Sequence, residues 1–89
     1  MSIKAKLIDL ILRCSDESLD VDIVDDTNLM IDLSYSSINL IELIVEIEGE
    51  FDIEIPDEDL NIERLSNFKE LLNIVKDAVG IREKNEYER

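Results

Sequence analysis

The segment that decides the fold runs from Asp32 to Pro56 and reads DLSYSSINLIELIVEIEGEFDIEIP. Its apolar residues recur with the spacing of a helix, which predicts a helix from about Ser37 to Phe51. Pro56 marks the end of the connector that follows, because proline lacks the backbone donor a helix needs. The other predicted elements are arranged around this helix.

Apolar residues occupy an unusually wide part of the predicted helix. At about 100° per residue they form two neighbouring arcs that together cover about 220°. The first arc holds Leu40, Leu43, Ile44, Ile47 and Phe51; the second holds Ile38, Ile41 and Val45; Asn39, Glu42, Glu46 and Glu50 occupy the polar sector, with Ser37 and Glu48 between the arcs. Either the helix is buried on two sides or the second arc faces a partner, and the pattern leaves both open.

Further helices are predicted on both sides of this one. Ser2 can cap a first helix, because its hydroxyl can accept from an amide of the opening turn. Apolar residues and Cys14 form one stripe along this helix, which is predicted to end near Ser15. The run 57–59, all acidic, suits the first turn of a short third helix. The last helix is expected to start near Asn67, with Glu70 completing a capping box, and to end at Gly80.

The fold class is therefore all-α, a small four-helix bundle with three main helices, one short helix and a long first loop. Residues 16–36 show no sustained period, which predicts an ordered loop pinned by apolar side chains and containing at most a short helical turn. Residues 1–80 form the predicted domain. Residues 81–89 are polar and charged, which predicts a flexible tail.

Charge is distributed very unevenly along the chain. The formal net charge is −14, and residues 14–63 contain 17 acidic residues and no basic one. Such a surface repels nucleic-acid phosphates and anionic membranes and attracts basic patches on proteins. No apolar run is long enough to cross a bilayer, and the N-terminus lacks a secretory signal. We expect a cytoplasmic monomer that binds neither nucleic acid nor membrane.

The composition argues against catalysis. The chain contains no histidine, two glycines and one cysteine, so it offers no imidazole base, no glycine-rich phosphate loop and no internal disulfide. Cys14 is interpreted as a small buried apolar residue. Asp20, Asp22 and Asp25 lack the glycine and the distal glutamate of a calcium loop, so no metal site is predicted. We therefore expect a protein that is not an enzyme.

The segment from Asp32 to Leu60 resembles the acyl carrier and peptidyl carrier proteins of fatty-acid, polyketide and nonribosomal peptide synthesis. In that family a D-L-G-x-D-S-L motif opens the second helix of a four-helix bundle. Asp32, Leu33, Glu42, Leu43 and the run 51–56 agree with the family pattern, and Ile38 replaces the usual leucine. Ser34 stands in place of the glycine, and Ser36 in place of the aspartate that helps a transferase engage the site.

The resemblance implies a stand-alone carrier whose Ser37 holds acyl or aminoacyl intermediates as thioesters on a covalent 4′-phosphopantetheine arm. Its partners would be a phosphopantetheinyl transferase and loading or chain-processing enzymes with basic docking patches. Partner recognition is expected at Ile38, Ile41, Glu42, Val45, Glu46 and Glu48. Ile38 is also a candidate for lining an inner path for the acyl chain, and Ser36 is the less favoured attachment residue.

A second hypothesis comes from a different class of protein. The chain could be an acidic helical adaptor that keeps the carrier fold but is never modified, a reading that the substitution at Ser36 favours. The two hypotheses differ in one observable, the addition of an arm by a transferase.

Overall fold

The computed structural model describes residues 2–15 and 22–87, and for residues 83–87 the backbone alone. Helices make up most of the described chain. They are α1 (Ile3–Arg13), α2 (Leu29–Asp32), α3 (Ser37–Phe51), a 3₁₀ turn (Asp57–Asp59), α4 (Ile62–Ser66) and α5 (Phe68–Tyr87). The predicted all-α bundle with three long helices is confirmed.

The first helix begins as the sequence predicts. The Ser2 hydroxyl accepts a hydrogen bond from the Ala5 amide at 3.1 Å, so it satisfies one of the unpaired donors of the opening turn. Leu7, Leu10 and Ile11 are buried, because their spacing turns one stripe of α1 inwards.

The core lies where α1 packs against both α3 and α5. Its largest fully buried side chains are aliphatic except for one phenylalanine: Leu7, Leu10, Ile11, Leu29, Leu43, Ile47, Phe68, Leu71 and Val75. Burial of each such side chain contributes about 1.5–3 kcal/mol, which lets a domain this small hold α3 in a fixed position. Among the described residues, no helix is long and apolar enough to cross a membrane.

The first loop is clamped to the start of α5. Residues 16–21 of the predicted loop, including Asp20, lie outside the described residues. Further along, Asn28 forms a β-bridge with Asn67, and the Phe68 amide donates to the Thr27 carbonyl at 3.0 Å. Asn28 also caps α2, the short helical turn that the loop contains.

The short helix after Pro56 differs from the prediction. Residues 57–59 form only a 3₁₀ turn, and the helix starts later, at Ile62. The reason is a second cap, because the Asn61 side chain accepts from the amides of Glu63 and Arg64.

The last helix starts where it was predicted to start but ends later than predicted. The Asn67 side chain accepts from the Glu70 amide at 2.9 Å, as predicted, but the Glu70 carboxylate contacts Arg64. The predicted end at Gly80 is wrong, because α5 continues to Tyr87. A glycine inside a helix costs only about 1 kcal/mol relative to alanine, which neighbouring turns offset. The flexibility of residues 81–89 stays a prediction, and residues 88–89 lie outside the described part.

Candidate functional site

The two serines at the start of α3 have different surroundings. Ser36 is the cap: its hydroxyl accepts from the Asn39 amide at 3.1 Å and donates to the Asn39 side-chain oxygen at 2.8 Å. Ser37 is the first helical residue and is exposed. No described residue forms a hydrogen bond with its hydroxyl. The structure therefore leaves one of the two hydroxyls open to reaction.

Asn39 does not belong to the polar outer sector in which the sequence analysis placed it. Its side chain is buried, because its oxygen accepts from the Ser36 amide at 2.9 Å and its nitrogen lies 3.5 Å from the Cys14 carbonyl. The amide thus joins the start of α3 to the end of α1. Helical periodicity treats every polar residue as solvent-facing, so it could not reveal this role.

Tyr35 is a second positioning residue that the sequence analysis missed. Its ring is buried, and its hydroxyl donates to the Ile11 carbonyl in α1. Its amide donates to the Leu29 carbonyl at 3.0 Å. An aromatic ring directly before a cap serine was the available signal, since a buried tyrosine hydroxyl usually finds a partner. Ser37 therefore begins a helix whose preceding residues are fixed on two sides.

The backbone conformation at Ser34 shows why the family motif has glycine at this position. Its φ angle is 57°, in the left-handed region where a side chain is strained and glycine is not. The chain keeps the turn in spite of the substitution, because the buried residues on each side, Leu33 and Tyr35, hold the backbone in place.

The start of α3 fits an attached phosphodiester. The free amides of a helix N-terminus carry partial positive charge, which stabilises an anion there. The first turn of α3 contains no acidic residue, so no side chain of that turn opposes a phosphate. An exposed hydroxyl with this electrostatic environment is a suitable anchor for the group.

The second apolar arc of α3 faces solvent. Ile38, Ile41 and Val45 are 68 %, 64 % and 61 % exposed, respectively. Of the two alternatives left open by the sequence, burial of α3 on two sides is therefore wrong. The exposure of Ile38 also places it outside the core, so it does not line an inner path here.

The predicted acidic recognition residues divide into two groups. Glu42 and Glu46 line a groove of about 430 Å³ beside the end of α1, together with Arg13 and Cys14. Glu48 is half-buried, and its carboxylate accepts from the Ile55 amide at 3.0 Å, which ties the following connector to α3. A role for Glu48 towards partners stays a prediction, but the residue already has a contact within the chain.

Cys14 lies in the same groove and is only partly buried. Burial raises the pKa of its thiol, Glu46 and more weakly Glu42 raise that pKa too, and Arg13 opposes them. A thiol whose pKa is raised is a poorer nucleophile at neutral pH. Cys14 therefore packs against the core as a thiol of low reactivity, but the predicted full burial is wrong, because one side of the residue borders the groove.

Comparison with known proteins points to one family. The model of the phosphopantetheine attachment site matches residues 6–75. An acyl carrier protein of Chloroherpeton thalassium is 42 % identical over 53 residues, which cover 60 % of this chain and 64 % of that protein. Acyl carrier proteins of Picosynechococcus and Chlorobium phaeobacteroides are 32 % and 34 % identical over 84 % and 82 % of this chain, and 94 % and 90 % of their own lengths.

Proposed function

Because this chain belongs to the acyl carrier protein family, whose members bear a phosphopantetheine attachment site, we propose that it carries 4′-phosphopantetheine on Ser37. The arm would hold acyl or aminoacyl intermediates as thioesters and present them to partner enzymes. Such a protein is a carrier and not a catalyst. Fatty-acid, polyketide and nonribosomal peptide synthesis are the pathways that use such a carrier.

One observation favours Ser37 over Ser36 as the attachment residue. Its hydroxyl is exposed and has no partner among the described residues, whereas the Ser36 hydroxyl is engaged twice by Asn39. Modification of Ser36 would remove a cap worth about 1 kcal/mol, while modification of Ser37 leaves the cap intact.

The attachment chemistry places a requirement on the transferase. The Ser37 oxygen attacks the phosphorus of coenzyme A that bears the pantetheine, the pyrophosphate P–O bond breaks, and adenosine 3′,5′-bisphosphate leaves. The proton of the serine hydroxyl must pass to a base. The chain contains no histidine, and no described side chain accepts a hydrogen bond from Ser37. The base therefore comes from the transferase, and the carrier supplies the anchored serine and a helix end that favours phosphate.

Partner enzymes would dock on the outer face of α3, defined as Ile38, Ile41 and Val45 with Glu42 and Glu46. Three exposed apolar side chains give shallow contact area, and the flanking carboxylates attract basic patches. A contact of this kind is small and salt-sensitive, which suits a carrier that must leave one enzyme for the next.

The test is incubation of the purified chain with coenzyme A and a broad-specificity phosphopantetheinyl transferase, followed by intact mass measurement. We expect one added arm, its complete loss in Ser37→Ala and its retention in the matched variant Ser36→Ala. Circular dichroism checks that both variants keep their helices. An adduct that persists in Ser37→Ala would place the attachment elsewhere.

The acidic adaptor remains the second candidate, since Ser36 replaces the aspartate of the family motif. Serine and aspartate cap helices about equally well, since either side chain accepts from the Asn39 amide, although a carboxylate cannot donate to the Asn39 side-chain oxygen as the Ser36 hydroxyl does. The main difference is the charge offered to a transferase. Ser36→Asp should therefore speed modification without changing stability much. If neither the natural chain nor Ser36→Asp accepts an arm from any transferase tried, the adaptor is the better description.

A further inference from the structure

A groove of about 680 Å³ lies at the end of the bundle opposite Ser37, between the connector after α3 and one side of α5. Asp52, which directly follows α3, forms part of it. Because a helix rises about 1.5 Å per residue, the two ends of α3 are about 21 Å apart. The groove is thus separate from the attachment site and from the outer face of α3.

The groove has an apolar floor and an acidic rim. Ile74 and Ala78 form buried parts of the floor, and Ile81 stands at its edge with 58 % of its surface exposed. Four lining residues are carboxylates, and one is a guanidinium, Arg82, which pairs with Asp52 at 3.3 Å. Ile81 extends the buried apolar floor of Ile74 and Ala78 to the surface, so the groove offers a small apolar area next to its carboxylates.

Two of the rim carboxylates are uncompensated. Asp59 contacts Arg64 at 2.8 Å, and Asp52 contacts Arg82. Glu54 and Asp77 have no ion-pair partner among the side chains that the structure describes. The groove therefore favours a ligand that brings positive charge together with an apolar side chain.

We propose that this groove is a second docking surface, which binds a basic amphipathic segment of a partner protein, with Lys or Arg facing Glu54 and Asp77 and an apolar side chain on Ile81. A second copy of this chain is a poor occupant, because two molecules of net charge −14 repel each other. A partner held at this end leaves Ser37 and the outer face of α3 accessible. The groove does not require the arm, so it stands independently of the proposed function.

The experiment uses the unmodified full chain, isotope-labelled, and a short synthetic peptide whose lysines and leucines form opposite helical faces. On titration we expect saturable NMR shift changes around Asp52, Asp77 and Ile81, whether or not residues of the outer face of α3 also respond. Changes confined to the outer face around Ile41 and Val45, or none that saturate around Asp52, Asp77 and Ile81, would overturn the proposal. Concentration-dependent association of the chain without peptide would assign the groove to a second copy and overturn it too.

Matched variants separate the groove from general attraction between opposite charges. Glu54→Lys with Asp77→Lys should weaken peptide binding at the groove by about tenfold, whereas Glu50→Lys with Glu63→Lys, an equal change of net charge at exposed residues outside the groove, should weaken it less than about threefold. Equal weakening by both pairs would overturn the proposal. Melting curves establish that each variant is folded.

A second pair tests the apolar contact. Ile81→Ser should weaken binding by about threefold, and Ile62→Ser, an exposed isoleucine in α4 that does not line the groove, should leave it unchanged. Replacement of the peptide's leucines by serine should remove the difference between the two variants. If Ile81→Ser binds the peptide as tightly as the natural chain does, the proposed apolar contact with Ile81 is wrong.

Discussion

The inner and outer faces of α3 are made of the same kinds of residue but have opposite environments. Leu43 is fully buried, whereas Ile41, only two residues earlier, is 64 % exposed. On the inner face, apolar side chains meet α1 and fix the fold. On the outer face, equally apolar side chains have no contact of comparable size within the chain. Apolar character alone therefore does not identify the core residues of this domain.

The largest effect is expected from a matched pair of truncations on the two faces. Leu43→Ala should lower the free energy of unfolding by about 3 kcal/mol, because it removes buried contacts and leaves a cavity. Ile41→Ala should change it by less than about 0.5 kcal/mol. Urea denaturation measures both, and similar losses in the two variants would show that the faces are not distinct.

Truncation of a polar residue should likewise cost more stability on the inner face of α3 than on its outer face. Asn39→Ala should cost about 1.5 kcal/mol, because the part-buried hydrogen bonds from the Ser36 amide and hydroxyl to the Asn39 side chain are lost. Glu42→Ala is expected to stay within about 0.5 kcal/mol of the natural chain. A neutral result for Asn39→Ala in urea denaturation would remove its assigned role in fixing the start of α3.

The acidic outer surface should make stability depend on ions. Between residues 14 and 63, 17 carboxylates repel one another without a basic residue in the same segment. Raising salt from low ionic strength, or adding magnesium, should stabilise the fold by about 1 kcal/mol through screening. Thermal melting followed by circular dichroism measures this. The double variant Glu42→Gln with Glu46→Gln should respond less, and a melting temperature indifferent to ions would contradict the electrostatic interpretation.

The residues flanking α3 allow a smaller comparison. Ser34 before the helix and Asp52 after it both have positive φ angles, 57° and 52°. Ser34→Gly should raise the free energy of unfolding by about 0.5 kcal/mol, since relief of backbone strain exceeds the added entropy of the unfolded chain. Asp52→Gly should raise the free energy of unfolding by less than Ser34→Gly does, because it also removes the contact with Arg82. Destabilisation by Ser34→Gly would show that the turn needs the serine side chain.

The smallest effect concerns the groove between α3 and the end of α1. Since the Glu46 carboxylate raises the pKa of Cys14, Glu46→Gln should lower that pKa and increase the thiolate fraction below it. Alkylation by iodoacetamide at mildly alkaline pH should become about twofold faster. Glu50→Gln, which lies outside this groove, serves as the control and should leave the rate unchanged.

Sequence reasoning succeeded where a single physical signal acts alone. The bounds of α3 follow from its helical period, and Ser2 and Asn67 were identified as caps from their residue type and position. It failed where two signals compete. Gly80 is a common terminator, yet α5 continues past it, since one unfavourable residue does not outweigh favourable turns on both sides.

The same reasoning predicted Ser37 as the attachment residue but did not identify the residues that fix its position. The helical period placed Asn39 with the acidic residues, although its hydrogen bonds to Ser36 hold it inside. Tyr35 lies in a segment without any period, so its contact with the Ile11 carbonyl depends on a tertiary arrangement that no local pattern encodes. The exposure of the second arc likewise depends on how α1 and α4 pack against α3, which no local pattern encodes.

The clamp between the first loop and the start of α5 has a consequence for synthesis of the chain on the ribosome. Thr27 and Asn28 are held by Phe68 and Asn67, about forty residues further along. The segment leading to Ser37 therefore cannot reach its final arrangement until most of the polypeptide has been translated. We expect nascent chains that stop before Asn67 to be poor transferase substrates, so that only completed molecules enter the pool that receives an arm.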